Sequence, residues 1–171
     1  MDQTAGNPRS SSRKPHYDSP QQEAYLNLWQ TYDELKAIEE ALFGKHDLSA
    51  QQYNALRLLR SVSPSTMPTL SLGAQLISRA PDMTRLLDKL ERRGLVRRER
   101  REDNRRVVEV GITEQGLELL KELAEPLHDV HLQQLGHLHP DELQQLIQLL
   151  TKARQRQHAD VSTDSAAELR Q

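Results

Sequence analysis

At 171 residues and a formal net charge of −2, the chain has room for one domain, or for one domain with an appended helical layer. It contains no cysteine, which excludes disulfides, thiolate zinc sites and thiol-based oxidant sensing. No apolar run approaches the length of a membrane span and Met1 to Pro20 lacks a signal-peptide core, so a cytoplasmic location is expected.

Residues 1–20 carry a Ser10-Ser11-Ser12 run, several prolines, and Arg9, Arg13 and Lys14, the composition of a disordered tail. A first helix is expected from Gln21 to Phe43. Tyr25, Leu28, Trp29, Tyr32, Leu35 and Leu42 recur there at three- and four-residue spacing, and Gly44 stops it. Ser49 with Gln52 forms a capping box for a second helix whose apolar face is Tyr53, Leu56, Leu59 and Val62. Ser63 to Pro68 reads as a loop. A short third helix follows with Leu72, Leu76 and Ile77, capped by Thr69 or Ser71. A fourth opens at Pro81, turns Met83, Leu86, Leu87 and Leu90 inward, and ends at Gly94.

The period then changes. Val108, Val110 and Ile112 alternate as a strand, Leu95 to Arg100 is its antiparallel partner, and Arg101 to Arg106 form the hairpin tip. Thr113 caps a fifth helix over 114–135, bearing Leu117, Leu120, Leu123, Leu127 and Val130. Pro140 begins a sixth with Leu143, Leu146, Ile147, Leu150 and Ala153. Beyond His158 the chain turns polar and is expected to fray. The divisions are therefore a tail (1–20), a dimerisation helix (21–45), a central lobe (46–113), dimerisation helices (114–157) and a polar tail (158–171).

The net charge alone argues against a nucleic-acid partner, but its distribution argues for one. Residues 79–106 hold eleven Arg/Lys and six Asp/Glu, whereas residues 107–171 hold five and eleven. One basic segment inside an acidic frame favours a polyanion bound through one face.

A short helix, a tight turn, a helix with a basic outer face and a basic hairpin form the layout of a winged helix-turn-helix, whose second helix enters the major groove of double-stranded DNA. The expected fold is mainly α with a small β-wing: a winged helix-turn-helix DNA-binding lobe plus a helical dimerisation lobe. With the leucines of the fourth helix inward, Asp82, Arg85, Asp88, Lys89 and Arg92 face outward and Thr84 lies at the edge. Arg85 is the candidate for a guanine contact, its guanidinium fork matching O6 and N7. The expected DNA-facing set is Arg79, Pro81, Asp82, Thr84, Arg85 and Lys89 from the helix, and Arg98, Arg100, Arg101, Asn104, Arg105 and Arg106 from the hairpin.

The stretch from Leu72 to Gly116 resembles the multiple-antibiotic-resistance regulator (MarR) family. The resemblance rests on Thr84-Arg85-Leu86-Leu87-Asp88-Lys89-Leu90-Glu91, then Arg93-Gly94-Leu95-Val96, then Asp103, Arg105 and Ile112-Thr113-Glu114-Gln115-Gly116. It implies a homodimer paired through the first, fifth and sixth helices, with Arg105 in the flanking minor groove and Asp103 bracing the hairpin. It also implies repression, and a small aromatic or phenolic effector held between the dimer helices and the DNA lobe. Tyr25, Trp29, Tyr32 and Tyr53 would supply the aromatic wall and Arg57 a cation, although the same aromatics suit a core and dimer interface.

Competing readings follow from other residues. His128 and His131 have helical i, i+3 spacing, with His137 and His139 close by, so a metal-responsive regulator is one alternative; exposed or interfacial histidines are the default. A winged-helix module for protein contact is another. No nucleophile elbow, P-loop or dinucleotide fingerprint occurs, so neither an enzyme nor a cofactor is expected.

Overall fold

The computed structural model describes residues 16–77, 82–101, 104 and 106–168, with 156–168 as backbone only. The chain divides into two units, Met1–Lys36 and Ala37–Gln171. The first holds the greater part of helix α1 (Pro20–Lys45). Ser19 opens that helix, its Oγ accepting from Gln22 N at 3.1 Å. Periodicity here does not lead to burial. Tyr25, Trp29 and Tyr32 are about 60% exposed, and the Tyr25 and Trp29 rings lie 6.1 Å apart.

The second unit begins with the end of α1, where Leu42 and Phe43 are buried. Helix α2 (Ala50–Val62) starts at the expected capping box: Gln52 N donates to Ser49 Oγ at 3.2 Å, and Ser49 N to Gln52 Oε1 at 2.9 Å. Such a cap contributes about 1 kcal/mol. Tyr53 stacks on Phe43 with centroids 4.8 Å apart, so its ring packs against the core.

Within Ser63 to Pro68, expected as a loop, Met67–Pro68 forms a short strand, β1, on the free edge of a three-stranded sheet. Two residues give no readable alternation, and proline is tolerated at an edge because no ladder donor is needed there. Helix α3 (Thr69–Gln75) follows at once, with Pro68 as its cap residue and no side-chain capping bond. The cap expected from Thr69 or Ser71 is therefore replaced: Thr69 lies inside the helix and its hydroxyl donates to Val108 O at 3.0 Å. Leu72 and Leu76 are buried, but Ile77 is exposed.

Helix α4 (Met83–Arg92) buries Leu86, Leu87 and Leu90. It ends in a Schellman motif, with Gly94 N donating to Glu91 O at 2.8 Å and Leu95 N to Leu90 O at 3.0 Å. Gly94 sits at φ 68°, where a side chain would be strained. Strands β2 (Val96–Arg100) and β3 (Val108–Ile112) pair antiparallel, and β1 pairs on the other side of β3.

Thr113 caps α5 (Glu114–Glu122), accepting from Gly116 N at 3.1 Å while donating to Gly94 O at 2.6 Å. A Cβ at Gly116 would overlap the carbonyl oxygen of Leu95. The Thr-x-x-Gly spacing thus docks the helix against the start of β2. The single helix expected over 114–135 is two, α5 and α6 (Ala124–Leu135), divided at Leu123. Pro126 is the reason: it offers no N–H to Glu122 O and its ring crowds that carbonyl. Helix α7 (Pro140–Glu168) continues past 157, where the chain was expected to fray; residues 158–168 contain neither Gly nor Pro. The core joins Phe43, Leu56, Leu59, Leu72, Leu87, Leu90, Val110 and Leu123 beneath the helix-turn-helix.

Candidate nucleic-acid interface

Helix α4, the expected recognition helix, is set up by one short-range bond. Asp82 Oδ1 accepts from Arg85 N at 2.9 Å, so the Asp82 carboxylate, expected on the DNA side, serves as the N-cap of α4. With the leucine face buried, Thr84, Arg85 and Lys89 stand exposed on the outer face. Arg85 and Lys89 border a groove of about 400 Å³ shared with Leu48, Ser49 and Gln52 at the start of α2. Arg92 folds back, its Nε donating to Asp88 O at 3.2 Å.

Arg98, expected on the DNA side, has its guanidinium engaged within the chain. Its Nη2 donates to Asp88 Oδ1 at 2.6 Å and to Glu91 Oε2, and its Nε donates to Glu91 Oε2 at 2.9 Å. Its side chain is only 25% exposed. The hydrogen bond from Arg98 holds the Glu91 carboxyl below its usual range, and Glu91 in turn raises the Arg98 value. Arg98 is thus a brace between the wing and α4, and its single positive charge partly offsets the two carboxylates, Asp88 and Glu91, beside it.

The pleat leaves Arg100 and Arg101 exposed beyond this brace, with Arg101 N donating to Val107 O at 3.2 Å. Asn104, expected as a DNA contact, forms the hairpin turn: Oδ1 accepts from Arg106 N at 3.1 Å and its carbonyl from Val107 N at 2.9 Å. The Arg106 side chain is exposed. Arg79, Pro81, Asp103 and Arg105 lie outside the described residues. Between α3, α4 and the wing is a cleft of about 500 Å³ bordered by Thr69, Ser71, Thr84, Arg101 and Arg106, with Leu70 standing 89% exposed at its edge. Ser71 and Leu70 carried no charge or motif signal that could have marked them.

The chain matches the MarR family model over residues 48–108, the span from the end of the α1–α2 turn to the start of β3. The transcriptional repressor MprA of Escherichia coli is 29% identical over 139 residues, 80% of this chain and 79% of its own length. A MarR transcription factor from Planctomyces limnophilus is 57% identical in its crystal structure, which covers 80% of this chain and 98% of that one with a TM-score of 0.64. The chain belongs to the MarR family. A mutant MarR from Escherichia coli complexed with operator DNA shares the fold, with a TM-score of 0.69 at 22% identity over 77% of this chain and 93% of that one. This MarR protein is a DNA-binding transcriptional regulator and not an enzyme.

The remaining candidates fall in both units. Tyr25, Trp29 and Tyr32 belong to the first unit. In the second, Tyr53 is committed to Phe43, and Arg57 Nη2 donates to Asn54 Oδ1 at 3.0 Å. His131 Nε2 lies 3.4 Å from Glu39 Oε1. Among the described residues no group of three or more His, Asp and Glu is arranged to hold a metal ion, and no helix is long and apolar enough to cross a membrane.

Proposed function

We propose that this protein is a repressor that binds a palindromic operator as a homodimer and is released by a small aromatic or phenolic effector. Each α4 would enter the major groove of one half-site, with the wing over the flanking minor groove. The observation that carries this reading is the outer face of α4. There Thr84, Arg85 and Lys89 are exposed together while Arg98 pairs with Asp88 and Glu91 and offsets part of their charge. Repression is supported by the name of the Escherichia coli relative, and an operator as the partner by the MarR–operator complex. The homodimer is supported by apolar side chains left at the surface of one chain: Leu132 on α6, and Ile147 and Leu149 on α7. For an effector, the exposed Tyr25, Trp29 and Tyr32 are the available aromatic surface.

Selection of bound duplexes from a random pool, followed by salt titration on the enriched sequence, tests the reading. Paired inverted half-sites and a steep salt slope are expected, because displaced phosphate counterions make affinity fall with salt. Enrichment of unpaired sequences would remove the palindrome and the dimer from it. In the same assay Arg105→Ala should lose affinity mainly on duplexes with A·T-rich flanks, where a narrow minor groove attracts a guanidinium, and Arg106→Ala should lose less on any flank. Equal loss for Arg105→Ala on A·T and G·C flanks would reduce it to a backbone contact.

A further inference from the structure

Arg93 holds two segments together that lie far apart in sequence. It sits one residue beyond α4, immediately before the left-handed Gly94. Its Nη1 donates to Asp47 O at 2.6 Å and its Nη2 to His46 O at 3.0 Å. These carbonyls belong to the turn that closes α1. There His46 N and Leu48 N donate to Phe43 O, and Asp47 N donates to Gly44 O. Asp47 takes φ 51°, a left-handed conformation uncommon outside glycine and asparagine, and one guanidinium receives both successive carbonyls. The Asp47 carboxylate contributes little: it is 86% exposed and 4.0 Å from Nη1. Phe43 and Leu48 are buried on either side, so the turn is anchored in the core.

The geometry points to Arg93 as a positioning residue that registers the recognition helix against the turn closing α1, and through that register sets the half-site spacing a dimer accepts. The inference rests on the dimeric DNA-binding reading above. Two-fold helix-turn-helix proteins read half-sites at a separation fixed by the distance and tilt between their recognition helices. The leucine face of α4 resists translation, and Arg98 ties its side to the wing. Arg93 adds a restraint at its C-terminal end, where a few degrees of tilt are multiplied along the helix. A planar fork holds two carbonyls in a fixed geometry; a lysine keeps the charge and can donate, but its rotatable ammonium does not fix their spacing or direction.

The test uses the full chain and a pool of duplexes in which the spacer between half-sites varies. The unmodified protein should enrich one spacing. Arg93→Lys should enrich a broadened set and lose about tenfold on the best duplex, the scale of a lost charge-assisted hydrogen bond. Its affinity for random duplex and its salt slope should stay unchanged. Asp47→Gly, which keeps both carbonyls, should retain the original spacing. Arg93→Lys selecting the original spacing at full affinity would overturn the proposal, as would Arg93→Gln losing affinity on every duplex with a shallower salt slope, the behaviour of a phosphate contact. Amide exchange on the free protein reads the same restraint without DNA. Arg93→Lys should speed exchange over residues 86–92 and leave α2 unchanged, and equal exchange would again overturn it. If the unmodified chain enriches no paired sites, the dimeric reading fails, and the exchange result judges Arg93 on its own.

Discussion

Arg98 on the wing strand places Nη2 2.6 Å from Oδ1 of Asp88 on the recognition helix, with Glu91 as a second acceptor one turn further along. A side-chain brace therefore joins β2 to α4 in the free chain. Arg98→Ala should weaken operator binding even without any contact between Arg98 and phosphate, because two unpaired carboxylates then face a polyanion. Asp88→Asn with Glu91→Gln in that background should restore much of the loss. A phosphate contact would instead give the same loss in both backgrounds, and a double-mutant cycle on the operator decides between them.

The same pair makes a pH prediction. Glu91 titrates below its ordinary value of 4.5 in the folded chain. A depressed folded value means that the unfolded chain binds more protons between the two values, so the contribution to stability is present above about pH 4.5 and is lost as pH falls through the folded value. Denaturant midpoints measured from pH 6 to pH 3 should fall less steeply for Arg98→Ala than for the unmodified protein. Parallel curves would show that the pair is too well solvated to matter.

Arg85 stands exposed one turn into α4, beyond the Asp82 cap. Arg85→Ala should cost roughly 1–3 kcal/mol on the operator and relax preference at one base pair in each half-site. A uniform loss on specific and random duplexes would assign it to phosphate.

Ile147 is 50% exposed on α7. If the proposed homodimer pairs through α7, Ile147→Asp should leave the fold of the single chain intact and shift sedimentation from dimer to monomer, since a carboxylate on a seam buried by the partner costs several kcal/mol unless paired. A sedimentation profile unchanged at micromolar concentration would place the dimer seam elsewhere.

Gly116→Ala brings a methyl group onto the backbone oxygen of Leu95, an atom with no flexible side chain to yield. Destabilisation of roughly 2–4 kcal/mol is expected from such overpacking, read as a lower thermal midpoint. A loss below about 0.5 kcal/mol, the scale of an ordinary surface substitution, would show that α5 can shift freely against the hairpin.

Period and punctuation in the sequence determined most of the fold. The Ser49–Gln52 box, the leucine face of α4, Gly94 and the alternation of Val108, Val110 and Ile112 are local signals, and each acts through neighbours a few residues away. The basic stretch within residues 79–106 was readable for the same reason, since charge is a property of composition. The Pro126 break between α5 and α6 was equally local and readable, but the leucine period on either side of it suggested one helix. What only the tertiary structure decided was which charges are already spent. Arg98 reads as a hairpin arginine like its neighbours, yet its guanidinium meets Asp88 and Glu91, because β2 packs it against α4. Asp82 became a cap, Asn104 a turn and Arg93 a latch onto carbonyls more than forty residues away, because hydrogen-bond partners depend on distances that packing sets.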